Sequence, residues 1–382
     1  MRSNYLVFGQ PIIEKEEIEE VISSLSSGWI GTGPKVAQFE SDFKDYIGSK
    51  YAVAVSSCTA GLHLSVLAMG VTPGDEVILP AMTFAATANA VVHTGAKPVF
   101  VDVDKYEMTI DADDIRRKIT SKTKAIIPVH FAGRACNIRV LEKIALEHNL
   151  IIIHDAAHAV ETEYAGKKIG CFKHIANFSF YVTKNITTAE GGMITTDNEE
   201  LAQKLKIYAL HGMSKDAWKR FSDDGYRHYE IIYPGYKYNM TDLQAAIGIQ
   251  QLKKVERFAK RRNEIWGVYK KELSNLPLIL PPDPAKFTSH ALHLFTVMVD
   301  TSQTKITRDE LINKLHRMKI GTGVHYIALH LQPYYRDCFG YKRGDFPNAE
   351  FISDRTFSIP FSAKLTDEDV QDVISSLKEI LQ

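Results

Sequence analysis

Lys184 lies in the run Phe178-Ser179-Phe180-Tyr181-Val182-Thr183-Lys184-Asn185-Ile186-Thr187-Thr188-Ala189-Glu190-Gly191-Gly192, between an aromatic strand-like stretch and a glycine pair. Lysine is among the side chains least often buried, so one that follows an apolar run either reaches water along its stem or is used for its amine. A desolvated amine has a lowered pKa and attacks carbonyls, which is the requirement for a Schiff base. Position alone does not separate that use from an ordinary solvated charge.

Other residues along the chain could serve the same chemistry. Ser56-Ser57-Cys58-Thr59-Ala60-Gly61 follows a strand-like run and opens a helical one. Backbone N–H groups and hydroxyls would converge there at the positive end of a helix dipole, a phosphate-binding geometry. The segment is neither a Walker loop nor a GxGxxG fingerprint, and an ordinary Thr59 helix cap would read the same way. Asp155 ends Leu150-Ile151-Ile152-Ile153-His154, which places a carboxylate at the carboxyl end of a buried strand, where open α/β sheets bind ligands. Such a carboxylate needs a cation or several donors, either a protonated ring nitrogen or a structural salt bridge. His158 follows on the same turn-to-helix segment, Ser179 stands five residues before Lys184, and Phe84 opens another post-strand helix. Each of these also has a plain packing explanation.

The elements that must position these residues form a regular pattern. Short β-branched runs at 52–55, 76–79, 98–101, 125–129 and 150–153 alternate with helical stretches at 59–69, 83–93, 112–119 and 139–148. That alternation predicts βαβ units around a mostly parallel sheet flanked by helices. Residues 215–238, rich in charge, Gly and Tyr, predict a long functional loop. A helix is expected from Thr241 to about Tyr269, then a break at Pro277, Pro281, Pro282 and Pro284. The remainder, with a strand over 292–299 and helices over 308–318 and 366–381, predicts a smaller C-terminal α+β domain. We expect a large domain over residues 1–260 and a small one over 261–382.

The chain has 382 residues, enough for two subdomains, since single cores stop growing near roughly 250–300 residues. Its 46 basic and 46 acidic residues cancel, so no overall field attracts nucleic acid or an anionic membrane. The amino terminus lacks the long apolar segment of a secretory signal, and no uninterrupted apolar run is long enough to span a bilayer. Cys58, Cys136, Cys171 and Cys338 show no CxxC spacing, which argues against a zinc site or a disulfide framework. We therefore expect a cytoplasmic protein with no metal, no membrane partner and no nucleic-acid partner.

Taken in chain order, the motifs carry a resemblance. Ser-Ser-Cys-Thr-Ala-Gly-Leu-His (56–63), Pro-Ala-Met-Thr-Phe-Ala-Ala-Thr-Ala-Asn-Ala (80–90), Pro-Val-Phe-Val-Asp-Val-Asp (98–104), Asp-Ala-Ala-His-Ala (155–159), Phe-Ser-Phe-Tyr-Val-Thr-Lys-Asn (178–185) and Gly-Tyr-Lys-Tyr-Asn-Met-Thr-Asp-Leu-Gln-Ala-Ala (235–246) resemble those of the DegT/DnrJ sugar aminotransferases. Within that family the chain looks most like the branch that makes UDP-4-amino-4-deoxy-L-arabinose. The resemblance implies a fold-type I enzyme of pyridoxal 5'-phosphate, which passes through pyridoxamine phosphate in the half-reaction. It also implies a homodimer with shared active sites.

On this resemblance Lys184 would hold the cofactor aldehyde and move the proton, and Asp155 would keep the pyridine nitrogen protonated. Phe84 would stack on the ring and His158 would lie near its phenolic oxygen. Thr59, Ala60 and Ser179 would hold the phosphate, with Asn239 arriving from the partner subunit. L-Glutamate would be the amino donor and a nucleotide-linked keto sugar the acceptor, with a UDP-linked 4-keto sugar expected. Candidate substrate contacts are Trp29, Thr32, His211, Arg220, His325 and Tyr326. The chain departs from the common family pattern at His154, at Glu161 and in Gly133-Arg134-Ala135-Cys136-Asn137. These departures bear on the sugar more than on the reaction class.

Four other readings compete. A 3-keto sugar, or one carried on dTDP or GDP, would serve the same machinery. A non-catalytic regulatory member would be expected to lose the lysine or the phosphate cup, and a deoxysugar dehydratase of this fold has histidine in place of the lysine. A nicotinamide-dependent oxidoreductase needs a glycine fingerprint after the first strand, which is absent.

Overall fold

A seven-stranded sheet runs through the larger part of the computed structural model, which describes residues 2–214 and 229–382. Helices α1 (Lys15–Ser27) and α2 (Pro34–Ile47) precede β1 (Tyr51–Val55), α3 (Cys58–Ala68), β2 (Glu76–Pro80), α4 (Ala85–Val92) and β3 (Lys97–Val101). Then come α5 (Ala112–Lys118), β4 (Thr123–Ile126), α6 (Ile138–His148), β5 (Ile151–Asp155), the two-residue strands β6 (Glu163–Tyr164) and β7 (Lys167–Lys168), β8 (Ile175–Ser179), β9 (Gly192–Thr196) and α7 (Glu199–Ala209).

The strand order is β1-β9-β8-β5-β4-β2-β3. Neighbours from β8 through β3 pair parallel, whereas β9 pairs antiparallel with both β8 and β1. β9 alone therefore opposes the rest. Strands β2, β8 and β9 are buried at every position, which explains why they read as unbroken apolar runs instead of alternating ones. This is the mostly parallel, helix-flanked α/β sheet that the sequence predicts.

The fourth strand ends earlier than expected, at Ile126 instead of Val129. Pro128 has no N–H to give to a ladder, so the chain beyond Ile126 keeps beside β5 only through an isolated bridge of Val129 to Asp155. The helix expected from Thr241 is also two helices, α8 (Asp242–Lys253) and α9 (Val255–Glu272), separated at Lys254. The expected domain boundary at 260/261 falls inside α9.

The chain continues through β10 (Leu278–Ile279), β11 (Thr288–Ser289), β12 (Phe295–Val299), α10 (Arg308–Arg317), α11 (Pro333–Phe339), α12 (Pro347–Arg355), β13 (Thr356–Ile359) and α13 (Asp367–Leu381). Strand β12 starts three residues later than expected because Leu292 takes a left-handed φ of 49°. Strands β10, β12 and β13 form a small antiparallel sheet. Its core unites Tyr269 of α9, Phe295 of β12, Leu315 of α10 and Leu377 of α13. Leu6 packs into the same core and exchanges backbone hydrogen bonds with Lys319 and Gly321, both of 2.8 Å. Among the described residues, no helix is long and apolar enough to cross a membrane.

Candidate active site

At the carboxyl ends of β5 and β8, a cavity of about 490 Å³ is walled by Thr59, Phe84, Asp155, His158, Ser179, Lys184, His325 and Tyr326, among others. Eight of the candidate residues, separated by up to 267 positions in sequence (326 − 59), thus meet in one place. The sheet topology causes this, because parallel strands put all their carboxyl ends on one edge.

The phosphate-like loop begins at Ser57. Its hydroxyl caps α3 by accepting from the Ala60 N–H at 3.1 Å, so the cap is Ser57 and Thr59 is left exposed at the cavity wall. Gly192 makes this approach possible: a Cβ there would stand 2.6 Å from both Ser57 C and Cys58 N. Only glycine lets β9 lie against the amino end of α3. Ser179 reaches the same region from the end of β8 and accepts from the Tyr181 N–H at 3.4 Å. Cys58 also lines the cavity, but burial pushes its thiol well above the ordinary value, which makes it an inert packing group.

Asp155 is held by hydrogen bonds that the sequence reading did not assign. Thr87 Oγ1 donates to Asp155 Oδ2 at 2.7 Å, and the Ala157 N–H donates to Oδ1 at 3.1 Å. Since the Thr87 proton is committed to the carboxylate, Thr83 must be the donor of the 2.8 Å contact between the two threonine hydroxyls. The spacing of four residues places both hydroxyls on one side of the segment that opens α4, a signal that was present in the sequence. Burial raises the Asp155 pKa, opposed by Thr87, by Ala157 and by the Lys184 charge. A buried carboxylate facing an open cavity is suited to a cationic N–H.

Lys184 sits on a loop pinned at several points. The Lys184 N–H donates to Tyr181 O at 2.9 Å, the Thr188 N–H to Phe180 O at 2.9 Å and the Thr187 hydroxyl to the same carbonyl at 3.0 Å. Its amine has no hydrogen bond or ion pair among the described residues. Burial lowers its pKa to about 8, with Cys58 and Asp155 working against that shift. An unpaired amine with that acidity is a usable nucleophile near neutral pH.

His158 lies between two expected roles, packing and ligand. Its Nδ1 accepts from the Ala132 N–H at 3.1 Å, so the neutral ring carries its proton on Nε2, which faces the Tyr326 hydroxyl at 3.5 Å. Burial, then the nearby Lys184 charge, keep it well below the usual histidine range and hence uncharged. The helix expected around His158 is instead a pair of turns, with the Ala159 N–H on Ala156 O and the Thr162 N–H on Ala159 O. Phe84 is not core: it is 60% exposed and its ring stands 5.8 Å from that of Tyr326 over the cavity. His325 is held by Ser358 Oγ at 2.9 Å from Nδ1, and burial lowers its pKa to about 4.

The remaining candidates lie elsewhere. Ala60 is buried behind the loop, with its N–H committed to Ser57. Asn239 donates from Nδ2 to Thr32 Oγ1 at 2.6 Å and Thr32 donates to Met240 O at 2.5 Å, so these two residues fasten each other outside the cavity. Trp29 is half exposed, and His211 is exposed with a left-handed φ of 53°. Arg220 lies outside the described residues. Near Lys184, reasoning from sequence passed over Asn185 and His293, and saw Glu161 only as a departure from pattern.

These donors suit a phosphorylated pyridine aldehyde. Hydroxyls at and near a helix amino end, a buried carboxylate, a neutral histidine N–H and an amine with no partner among the described residues all line the one cavity.

The sequence profile described as the DegT/DnrJ/EryC1/StrS aminotransferase family matches residues 11–378. The chain is 53% identical to the uncharacterized protein MJ1066 of Methanocaldococcus jannaschii over 381 residues, covering 100% of this chain and 99% of that one. It is 47% identical to the spore coat polysaccharide biosynthesis protein SpsC of Bacillus subtilis over 382 residues, covering 100% and 98%. Among solved structures, the putative sugar aminotransferase Spr1654 of Streptococcus pneumoniae in its PLP form superposes with a TM-score of 0.91 at 31% identity, covering 99% of this chain and 100% of that one. Its PMP form gives 0.90 at 32% identity, covering 98% and 97%.

Proposed function

Because the chain belongs to the DegT/DnrJ/EryC1/StrS aminotransferase family and is a pyridoxal-phosphate-dependent sugar aminotransferase, we propose that it carries nitrogen from L-glutamate to a UDP-linked 4-keto sugar. The observation that carries the amino-transfer chemistry is the Lys184 amine, without a hydrogen bond or ion pair among the described residues and with its pKa lowered to about 8, in one cavity with the buried Asp155 carboxylate.

The bound cofactor supplies a protonated pyridine that withdraws electrons from the reacting carbon. The rest is the work of this chain's residues. Asp155, steadied by Thr87 and Ala157, would accept the ring N–H and keep it charged. Thr59, Ser179 and the amino end of α3 would hold the phosphate. Phe84 would cover the ring and exclude water, and His158 Nε2–H would donate to its oxygen. Lys184 Nζ takes and returns the proton at the substrate carbon, general acid–base work for which a pKa near the working pH is favourable. His325 and Tyr326 edge the mouth on the sugar side.

We propose a cytoplasmic homodimer in which Asn239 serves the partner's phosphate site, since within its own chain it lies outside the cavity. The likeness to SpsC supports an amino sugar destined for a surface polysaccharide. The test is to incubate the protein with glutamate and a panel of 4-keto and 3-keto sugars on UDP, dTDP and GDP, following 2-oxoglutarate and the aminated sugar by mass spectrometry. Amination of the UDP-linked 4-keto sugar with the highest kcat/KM is expected. Preference for another nucleotide or for a 3-keto sugar would overturn the substrate assignment, and no transfer from any of them would overturn the activity.

A further inference from the structure

Behind the cavity, a buried ion pair joins Arg262 of α9 to Glu161, with side-chain exposures of 3% and 8%. The other carboxylate oxygen of Glu161 accepts from Asn185 Nδ2 at 2.8 Å, and Ala291 O accepts from the same amide nitrogen at 2.9 Å. Both amide hydrogens of Asn185 are thereby used, which fixes the orientation of the amide. Its Oδ1 must accept, so His293 Nδ1, 2.9 Å away, must donate. The His293 ring then lies against the ring of His158, with centroids 4.4 Å apart. Backbone bonds hold this arrangement in register. The His293 N–H donates to Ala132 O at 2.9 Å, while the Ala132 N–H donates to His158 Nδ1 at 3.1 Å.

Asn185 is the residue after Lys184, and Thr183, Lys184, Asn185, Arg262 and His293 line one small cavity of about 20 Å³, with Thr183 and Lys184 also lining the main one. We propose that Glu161 and Arg262 are positioning residues for Lys184: acting through Asn185 and His293, they lock the loop carrying Lys184 against His158 and fix the place of its amine at the cavity wall. Neither residue touches the main cavity. Glu161, where the common family pattern has a glycine, joins Ala291 O in fixing the Asn185 orientation and ties it to Arg262. The inference rests on Lys184 being the cofactor lysine.

If the lock fails, Lys184 is better hydrated and its acidity returns toward that of an ordinary lysine. The test uses cofactor-free protein. Labelling of Lys184 by trinitrobenzenesulfonate is followed by peptide mass spectrometry from pH 6 to 11, for the native chain, Glu161→Gln, Asn185→Ala and the double variant. The native midpoint is expected near pH 8. Each single variant should move it upward by at least one pH unit, and the double variant should move it no further than the larger single effect, because both break one chain of contacts. Glu350→Gln breaks a different buried contact, to His330, and should leave the midpoint in place while lowering the melting temperature. A midpoint unchanged in both single variants, additive shifts, or an equal shift in Glu350→Gln would overturn the proposal. A native Lys184 that labels like an exposed lysine would instead overturn the cofactor assignment beneath it.

Discussion

Thr87 Oγ1 stands 2.7 Å from Asp155 Oδ2 in a wholly buried setting, and its only proton points at the carboxylate. A hydrogen bond to a charged group contributes about 1.5–3 kcal/mol, so this contact offsets part of the penalty of keeping Asp155 ionised in the protein interior. Thr87→Val should therefore raise the Asp155 pKa further, because burial already drives it upward. The carboxylate would be lost at a higher pH than in the native protein, which would shift the acid limb of activity upward and weaken cofactor binding by roughly ten- to hundredfold. Thr87→Ser should restore both. A fluorescence titration with pyridoxal phosphate at pH 6 and pH 8 reads the difference.

Gly192 has no room for a methyl group, with Ser57 C and Cys58 N each 2.6 Å from the Cβ position. Gly192→Ala should push β9 off the start of α3 and cost about 1–3 kcal/mol in chemical unfolding. Cofactor affinity should fall as well, because the displaced turn is the one facing the phosphate. Gly267→Ala is the control: a Cβ there meets nothing within 4 Å, so helix propensity is the main term and the change should be neutral or stabilising.

Breaking the buried pair from one side leaves an uncompensated charge. Arg262→Met should destabilise the protein by about 3–5 kcal/mol, whereas replacing both partners, as in Glu161→Leu with Arg262→Met, should recover most of that loss. Urea unfolding of Arg262→Met, Glu161→Leu and the double variant measures the coupling.

If Asn239 serves the partner's site, two inactive chains should complement each other. Lys184→Ala and Asn239→Asp homodimers would each have low activity, the second because it places a negative charge beside a phosphate. Subunit exchange between them builds one site with an intact lysine and an intact Asn239. Activity approaching a quarter of the native value is expected from a statistical mixture. No gain on mixing would place Asn239 in its own subunit's chemistry.

Much of this site was legible because strand ends are legible. Asp155 closes an apolar strand-like run, Ser179 stands within another and Ser56–Gly61 follows a third, so a parallel sheet that ends each strand there puts all three at one edge. Lys184 follows Ser179 by five residues and shares that edge. The helix cap was misplaced by two positions because Ser57 and Thr59 are chemically equivalent in a sequence, and only the backbone conformation selects Ser57. The break between α8 and α9 at Lys254 carries no Pro or Gly and so left no mark. The contacts between Asn185 and His293 and between Glu161 and Arg262 span about a hundred residues each, and nothing local betrays such pairs. Phe84 could not be told from a core phenylalanine until its exposure was seen.

The acidity of Lys184 makes stability rise with pH, because a buried amine is penalised in its charged form. Its folded pKa, about 8, lies below the ordinary lysine value of roughly 10.4, so the buried ammonium destabilises the cofactor-free protein at pH below 8. That penalty should be relieved as pH rises from about 8 to 10.4, and Lys184→Met should remove this pH-dependent component. Melting temperatures of the two cofactor-free proteins across that window, compared at each pH, provide the check.

The most direct test of Lys184 as the cofactor lysine is peptide mass spectrometry of the protein loaded with pyridoxal phosphate and reduced with borohydride. A phosphopyridoxyl group on Lys184 is predicted, at close to one per chain. A group carried by another lysine, with Lys184 unmodified, would contradict the account.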